Sequence, residues 1–445
     1  MTWRSKCGVA WLMLMGCTGT SETKAPDPVE DSNTTDAGVD NPSGLPADDC
    51  AAAADIGEAG GFGLDSFTVP FVYDAGLDLS VSPVFAVSVP DDVLGLSVTV
   101  DAGAMKGGVD LVEIDGRVAI DRTGAAYEGP RRRALTRAGV DTSFDTSWDS
   151  ATDTSDTAWS GKGRDGWGVS PFYHYPELAG TIVMPMSVET PPWAGCMRVR
   201  AAVEGDASAI EGTVHLATKR SAASAHTMDV NLIVVEGAGI SAKDLRTAVD
   251  IMAEVYAGAD GPVLGAVNQF EVTLKDGPFV SFNGDDIRAL RATATPGAPA
   301  NALNLFFIKD FINGAGTLGI ASGIPGPMAV QGTAASGVIM SIEGHRNADM
   351  SLDVSTMGET MAHEAGHQMG LFHTSESDGL SHDVIADTPE CDAATYDTNQ
   401  DNEVDAAECE AADGVNFMFW SAGDYPQRDM SADQAFVLNH SPICN

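Results

Sequence analysis

The sequence predicts a multi-domain chain in which an N-terminal all-β sandwich, residues 50–225, is followed by an α+β domain, residues 226–445. Three observations lead to this prediction. The chain has 445 residues, a length typical of two folded domains. The first region consists of short β-type runs separated by Gly, Pro and Asp, with no long segment of helical period. The second region contains both strand and helix patterns, as a mixed sheet covered by helices requires.

The N-terminal region contains seven short runs rich in β-branched and other apolar residues, which predict strands. They cover 67–73, 84–89, 96–100, 109–114, 180–188, 197–203 and 213–217. Strands of this length and number favour two packed sheets. Residues 141–167 are a low-complexity insertion of Asp, Ser and Thr, which predicts a loop. The role of the region stays open between a prodomain, a carbohydrate- or cell-wall-binding module and a spacer.

The pattern changes near residue 226. A predominantly apolar run at 230–235 predicts a buried strand, and Ser241 with Asp244 predicts the start of a helix that ends near Ala257. A stretch rich in Gly and Pro covers residues 319–332, and its first part, 319–327, is compatible with a plain loop. Further strands are predicted at 269–274, 303–308 and 337–342.

The chain contains the pattern H-E-x-x-H-x-x-G-x-x-H, which begins at His363. On a helix, His363 and His367 lie one turn apart on the same face, so both imidazoles can bind one Zn²⁺. Gly370 permits the chain to leave the helix, which returns His373 as a third ligand. Three histidines leave one tetrahedral position for water, and Glu364 lies where a general base can take its proton.

The residues before and within this pattern predict a helix. Thr356 and Glu359 have the spacing of a capping box at its start. Met361, Ala365 and Met369 are four residues apart and form an apolar stripe that can face a core.

The same region resembles the metzincin zinc metallopeptidases, and more narrowly their pappalysin-like branch. The resemblance rests on the histidine pattern, on the segment D-T-P at 387–389 and on the segment N-F-M-F-W at 416–420. It implies a metzincin-like catalytic domain with a mixed sheet, an active-site helix and a Met-turn at Met418 beneath the metal. It also implies that residues 319–327 approach an edge strand over the cleft, as an alternative to a plain loop. Such families often have a tyrosine two residues after the methionine. This chain has Trp420, which cannot ligate a metal, and Tyr425 is the nearby substitute.

The resemblance implies a zinc-dependent endopeptidase that cleaves protein or peptide substrates with a zinc-activated water and Glu364 as general base. Two alternatives stay open. A surface binding lipoprotein would use the sandwich as its working module, and its metal would be structural. A latent protease would be held inactive by its N-terminal region, for example by a thiolate of Cys50 or Cys196 on the metal.

Residues 397–408 have the spacing of an EF-hand calcium loop. Glu403, at the seventh position, can offer its backbone carbonyl to Ca²⁺, and Asn402 replaces the usual glycine at a left-handed turn. An acidic loop without an ion is the alternative, because the chain is rich in carboxylates. The side-chain oxygens at the expected positions belong to Asp397, Asn399, Asp401, Asp405 and Glu408.

The charge of the chain limits its partners. It carries 64 acidic and 24 basic side chains, a formal net charge of −40. Such a charge argues against nucleic-acid binding and against adsorption to anionic membranes, and it suits a secreted protein that binds calcium. We expect a monomer.

The N-terminus resembles a bacterial lipoprotein signal. An apolar run at 8–16 follows two basic residues and is too short for a permanent transmembrane helix. We therefore predict a signal peptide over 1–16, lipid attachment at Cys17 and a disordered acidic linker over 17–49. Such an anchor places the protein at the outer membrane or cell surface, with release to the extracellular space as an option. An ordinary secretory signal is the alternative.

Five cysteines remain once the signal and the lipid-bearing residue are set aside: Cys50, Cys196, Cys391, Cys409 and Cys444. An exported protein favours disulfides, but five is an odd number. Cys391 and Cys409 bracket the candidate calcium loop, so a bridge between them would close it. The pairing of the other three stays open.

Overall fold

The computed structural model describes seventeen segments of the chain, and the statements below concern these segments. The predicted signal peptide, Cys17, the 17–49 linker, Cys50 and the 141–167 insertion lie outside them, as does the side chain of Cys196. The described segments are 54–55, 62–74, 79–103, 109–114, 117–118, 120–121, 173–176, 179–188, 195–204, 207–208, 210–220, 226–282, 285–293, 297–314, 316–333, 337–380 and 382–444.

The described N-terminal region forms two main β-sheets. The strands of the larger sheet are β1 (Ala54–Asp55), β3 (Val72–Asp74), β4 (Leu79–Val81), β5 (Phe85–Val89), β7 (Val109–Ile114), β8 (Arg117–Val118) and β12 (Gly195–Glu204). Their order is β1-β5-β12-β4-β3. Strand β7 also pairs with β12, and β8 pairs with β7. The other sheet contains β2 (Phe62–Pro70), β6 (Val93–Asp101), β11 (Ala179–Met184) and β13 (Glu211–Arg220), in the order β11-β6-β13-β2.

Both sheets contribute to one hydrophobic cluster. Alternate residues of β5 point inward, so Phe85, Val87 and Val89 are buried among residues from the other sheet such as Val98 and Val214. All seven predicted runs coincide with strands, although their limits differ. The run predicted at 67–73 is divided between β2 and β3, for example.

A small third sheet joins the two halves of the chain. It consists of β9 (Ile120–Asp121), β10 (Tyr173–Pro176) and β20 (Gly323–Ile324), with β10 in the centre. Strands β10 and β20 are antiparallel. The backbone of the N-terminal region therefore pairs with the Gly- and Pro-rich stretch of the second region.

The second region is built on a mixed five-stranded sheet. Its strands are β14 (Thr227–Val235), β15 (Val263–Val272), β17 (Leu303–Ile308), β19 (Gly319–Ile320) and β21 (Val338–Ser341). The order is β15-β14-β17-β21-β19, and β19 is the antiparallel strand at one edge. A separate parallel pair is formed by β16 (Phe279–Ser281) and β18 (Asp310–Ile312).

Five α-helices lie in the described part of this region: α1 (Ala242–Ala257), α2 (Asp285–Arg291), α3 (Val354–Gln368), α4 (Ala393–Tyr396) and α5 (Ala432–His440). Short 3₁₀ turns cover Gly258–Asp260 and Glu343–His345. Ser241 caps α1 as predicted, because its side chain accepts a hydrogen bond from the Asp244 backbone N–H. None of the described helices combines the length and the hydrophobicity that crossing a membrane needs.

The helices cover both faces of the mixed sheet. Because side chains alternate along a strand, Leu305 and Phe307 pack on the side of α1 and α3, whereas Phe306 and Ile308 pack on the side of α2. The predicted stripe of α3 is fully buried on the first side. This packing fixes the helix that carries the histidine pattern.

The start of α3 differs from the sequence prediction. Asp353 is the N-cap and accepts a hydrogen bond from the Thr356 N–H at 3.0 Å. Thr356 is therefore inside the first turn and does not cap it. The predicted box with Glu359 was wrong, because an aspartate three residues earlier competes for the same backbone N–H group. Glu359 instead binds Arg428 at 2.8 Å.

Side chains from the N-terminal sheets enter the core of the second region. Val183 and Ala202 belong to the same hydrophobic cluster as α1 and α3. Lys219 is fully buried, and its Nζ donates to the Asn439 carbonyl at 2.8 Å. The two regions are thus packed together without a solvent-filled gap at these positions.

Candidate metal centre

Helix α3 is held against α1 by a close backbone approach. A Cβ at Gly358 would lie 2.6 Å from the Ala248 carbonyl oxygen, so only glycine permits this spacing. The side chains of Met357 and Met361 are fully buried beside it. The face of α3 that bears the histidines is therefore fixed relative to the sheet.

The structure brings the three predicted histidines together. The ring centroids of His363 and His367 are 4.5 Å apart, and those of His367 and His373 are 4.7 Å apart. One nitrogen from each ring lies within 4.8 Å of the other two. The Nε2 atoms of His367 and His373 are separated by 3.1 Å, close to the spacing of about 3.3 Å that tetrahedral zinc with bonds of about 2.0 Å requires.

The turn after α3 depends on Gly370. Its φ of +107° is a conformation that other residues rarely adopt. The Gly370 N–H donates to the His367 carbonyl, and the Leu371 N–H donates to Gly366, which reverses the chain and returns His373. On the outer side, a Cβ at Gly370 would lie 2.6 Å from a methyl carbon of Val183.

Each histidine is oriented through its Nδ1 atom. Nδ1 of His363 lies 2.7 Å from the Phe417 carbonyl, and Nδ1 of His367 lies 2.7 Å from the Leu371 carbonyl. Carbonyls only accept hydrogen bonds, so both Nδ1 atoms carry the proton and the Nε2 lone pairs face the shared centre. Burial and the neighbouring His373 lower the pKa of His363 to about 3, which keeps its imidazole neutral.

Glu376 is a residue of this site that the sequence analysis missed. Both of its carboxylate oxygens lie 3.1 Å from Nδ1 of His373. A carboxylate in this position fixes the tautomer of a ligating imidazole and increases its basicity. Its spacing of three residues from a histidine is the one available signal, and it is weak in a chain so rich in acidic residues.

Substitution of Glu376 tests this orienting contact. Glu376→Gln keeps the size of the side chain but removes the charge, so we expect metal affinity to fall about 10- to 100-fold. Competition of the purified variant with a zinc-sensitive chelating dye measures this change. Unchanged affinity would show that the carboxylate does not support His373.

Glu364 lies beneath the edge of the mixed sheet. Its side chain is 2 % exposed. A Cβ at Gly319, on the edge strand β19, would lie 2.9 Å from Cγ of Glu364. The absence of a side chain at this glycine lets the strand pack closely against the side chain of Glu364.

Met418 is fully buried behind α3. Its backbone N–H donates to Asn416 Oδ1 at 2.8 Å, and its carbonyl accepts from the Thr374 N–H at 3.1 Å. A Cβ at Gly366 would lie 2.5 Å from the Met418 sulfur. The methionine therefore packs against the helix between the two histidine-bearing turns.

Trp420 and Tyr425 point to the 397–408 loop. The Trp420 indole N–H donates to the Val404 carbonyl at 2.7 Å, and the Tyr425 hydroxyl donates to the Ala406 carbonyl. Both side chains therefore tie this loop to the segment that follows Met418. The resemblance suggested a tyrosine near the metal. In the structure, Trp420 and Tyr425 instead contact the 397–408 loop.

The D-T-P segment closes a turn and contacts α5. The Thr388 hydroxyl donates to Asp383 Oδ1 at 2.7 Å and also lies 2.9 Å from the Ile385 carbonyl. Asp387 accepts from the Asp433 N–H at 3.1 Å, in the first turn of α5. The segment thus connects the end of the histidine pattern with the last helix.

The 397–408 loop is arranged by its own side chains. Asn399 Oδ1 accepts from the Asp401 N–H at 2.8 Å, and Asp401 Oδ1 accepts from the Glu403 N–H at 3.0 Å. The Asp405 side chain accepts from the Glu408 N–H at 2.9 Å. Successive turns of this kind curl the backbone around a centre.

The first and sixth positions of the loop complete this arrangement. Asp397 Oδ2 accepts from the Asn402 N–H at 3.1 Å, and Asn402 has the positive φ, 68°, expected from its position. The other oxygen, Oδ1 of Asp397, is buried and has no hydrogen-bond partner. The carboxylates of this loop are not among the compact three-ligand groups that the described residues form.

Cys391 and Cys409 form a disulfide with a Cα–Cα distance of 5.6 Å, the pairing that the sequence analysis favoured. Both residues are fully buried beside Trp420 and Phe419. Cys444 is a buried free cysteine. Burial raises its pKa to about 12, so it stays a neutral thiol.

No family model matches the chain. It is 33 % identical over 156 residues to extracellular metalloprotease 1 of Coccidioides posadasii (strain C735), a match that covers 34 % of this chain and 51 % of the relative. The chain therefore spans about half the length of the curated relative it matches.

Two solved structures also show similarity. Mature mirolysin of Tannerella forsythia, in complex with a cleaved peptide, matches 48 % of this chain and 90 % of its own, with a TM-score of 0.34 and 16 % identity. Archaemetzincin from Methanopyrus kandleri matches 35 % of this chain and 81 % of its own, with a TM-score of 0.26 and 22 % identity.

Proposed function

We propose that the chain is an exported zinc endopeptidase of the metzincin type, close to the pappalysin-like branch. The observation that carries the proposal is the convergence of three imidazole Nε2 atoms beside a buried glutamate. His363, His367 and His373 would hold the zinc, because the partners of all three Nδ1 atoms aim the remaining nitrogens at one centre. A bound zinc ion would activate water and polarise the scissile carbonyl.

The protein groups around this centre have separate tasks. Glu364 is placed to take a proton from the attacking water and to pass it to the leaving amine. Strand β19 offers the backbone of a sheet edge, along which an extended peptide can lie. Met418 forms the apolar floor behind α3 and is not a ligand.

The setting of the enzyme is part of the proposal. A lipid on Cys17 and the linker over 17–49 would hold a β-sandwich, residues 50–225, and the peptidase domain, residues 226–445, at the cell surface. The net charge of −40 supports a monomer that binds neither nucleic acid nor the membrane surface itself.

A latent form is the second candidate, because β10 of the N-terminal region pairs with β20 next to the edge strand. A strand in that position would compete with a peptide that extends along the same edge. Removal of the pairing strand would then be needed for full activity.

One experiment tests both candidates. The purified chain is incubated with casein or gelatin before and after limited proteolysis, with zinc content measured on the same samples. Digestion that 1,10-phenanthroline abolishes supports the peptidase, and an increase after proteolysis supports latency. A zinc-loaded protein that digests neither substrate in either state would contradict the proposal.

We propose further that Asp397, Asn399, Asp401, Glu403, Asp405 and Glu408 bind a structural Ca²⁺. The buried Oδ1 of Asp397, which lacks a partner, supports an ion in the loop. Through Trp420, which donates to the Val404 carbonyl, an ordered loop would stabilise the segment around Met418.

Calcium removal should therefore lower stability and activity together. We expect a lower melting temperature and slower peptide hydrolysis in a calcium-selective chelator, both restored by added Ca²⁺, because ion binding stabilises only the folded loop. Asp397→Asn should shift the calcium concentration needed for recovery. A melting temperature that changes with neither the chelator nor added Ca²⁺ would show that the acidic loop binds no calcium.

A further inference from the structure

Gln368, the last residue of α3, holds the stretch between β19 and Met328. Its Oε1 accepts from the Ser322 hydroxyl at 2.7 Å and from the Ser322 N–H at 3.3 Å. Its Nε2 donates to the Pro327 carbonyl, and its backbone carbonyl accepts from the Gly326 N–H at 3.1 Å. The side chain is 1 % exposed. Residues 321–327, hereafter the cleft segment, are thus bound to the residue that follows His367.

The backbone of the cleft segment lies directly against the Gln368 amide. A Cβ at Gly326 would be 2.1 Å from Oε1 and 2.4 Å from Cδ of Gln368. No side chain fits between these two residues, so the position of the segment depends on the position of the amide. On the other side, the Arg291 guanidinium donates to the Ala321 carbonyl at 3.0 Å.

The cleft segment continues the strand that covers the candidate active site. Gly319 on β19 lies over Glu364, and the segment begins two residues later. The segment and two of the three candidate ligands, His363 and His367, are therefore attached to α3, the segment at its end and the histidines along its face. A shift of the segment changes its distance from the zinc ligands directly.

We infer that Gln368 is a positioning residue, which holds the cleft segment and through it the adjoining end of β19, the sheet edge along which an extended peptide would lie. The inference rests on the proposed peptidase function. It follows from chemistry as well as position, because a carboxamide presents an acceptor and a donor at once. Glutamate would lose the donor to Pro327, and methionine would lose both contacts.

The test compares Gln368→Met, Gln368→Glu and Ser322→Ala with the unaltered full-length chain. Ser322→Ala removes the hydroxyl contact alone, so it remains informative if a change at Gln368 prevents folding. Gln331→Met is the matched control, since Gln331 also ties a loop to the sheet, by donating to Asn304 Oδ1 at 2.6 Å and to the Pro299 carbonyl at 3.1 Å. Zinc content, backbone amide exchange, KM and kcat for an octapeptide are measured for each.

We expect faster amide exchange in the cleft segment and a KM raised about tenfold for Gln368→Met, with kcat changed less than twofold and zinc content unchanged. Ser322→Ala should show a smaller rise, and the control none. Wild-type exchange in the cleft segment would overturn the positioning role, and faster exchange with an unchanged KM would overturn its link to peptide binding. If the unaltered chain cleaves no peptide before or after limited proteolysis, the proposed function fails, while exchange still decides whether Gln368 holds the segment.

Discussion

Glu364→Gln should retain zinc but lose most turnover, with kcat lowered about 10²- to 10⁴-fold. The amide preserves the shape of the side chain in its buried position under β19, but it cannot take a proton from water. The three histidines do not depend on this carboxylate for their orientation, because their Nδ1 atoms bind Phe417, Leu371 and Glu376. The loss should therefore appear in kcat rather than in metal content.

A matched control is Glu271→Gln. Glu271 is exposed on β15, at the opposite edge of the sheet from β19. The same change of charge there should leave zinc content and kinetics at wild-type values. Peptide hydrolysis at the wild-type rate by Glu364→Gln would refute the assigned base.

Loss of the Cys391–Cys409 disulfide should give the largest change in stability. The two cysteines are 18 residues apart, and a loop of that size makes the bridge worth about 3 kcal/mol through the unfolded state. We expect the double variant Cys391→Ser and Cys409→Ser to lower the free energy of unfolding by this amount in urea titrations. The bridge also closes the loop that contacts Trp420. Added Ca²⁺ should therefore restore less of the melting temperature and of the activity in the double variant.

Cys444→Ser is the control for the double variant. It measures the loss of stability caused by a buried serine hydroxyl when no disulfide is removed. Cys444 is also fully buried but has no disulfide. If this single variant loses as much stability as the double variant, the bridge itself contributes little.

The sequence was sufficient for features that depend on local spacing. Strand 303–308 was predicted with its observed limits, because a run that is apolar apart from Asn304 is buried on both faces of the sheet. His363 and His367 meet because helical geometry alone brings positions four apart together. Ser241 was recognised as a cap for a similarly local reason.

Other site residues depend on distant partners that no local pattern reveals. Gln368 binds Ser322 and Pro327, which are 46 and 41 residues away in the chain. Trp420 departs from the family resemblance, and its hydrogen bond to the Val404 carbonyl is a tertiary contact that the sequence does not reveal. These contacts are set by how the cleft segment returns to α3 and how the 397–408 loop returns to the segment after Met418, which is a property of the tertiary fold.

Helix α5 was missed although its start carries a usable signal. Ser431 and Gln434 form a reciprocal capping box. The helix has only nine residues and most of its apolar residues are consecutive, at 435–438, so its periodicity is weak. Start signals deserve more weight than periodicity for helices this short.

The burial of Lys219 against the end of α5 has a consequence for how the molecule unfolds. The Lys219 ammonium group is fully buried and donates to the Asn439 carbonyl, so the N-terminal sheets cannot separate from α5 without exposing it. Val183, from the same sheets, packs on the turn at Gly370. Melting of the N-terminal sheets would therefore open the core beneath the histidines, and calorimetry should record a single cooperative transition. A shortened chain that begins at residue 226 would lack the N-terminal side chains of these contacts. An expressed fragment should therefore include the strands up to Arg220.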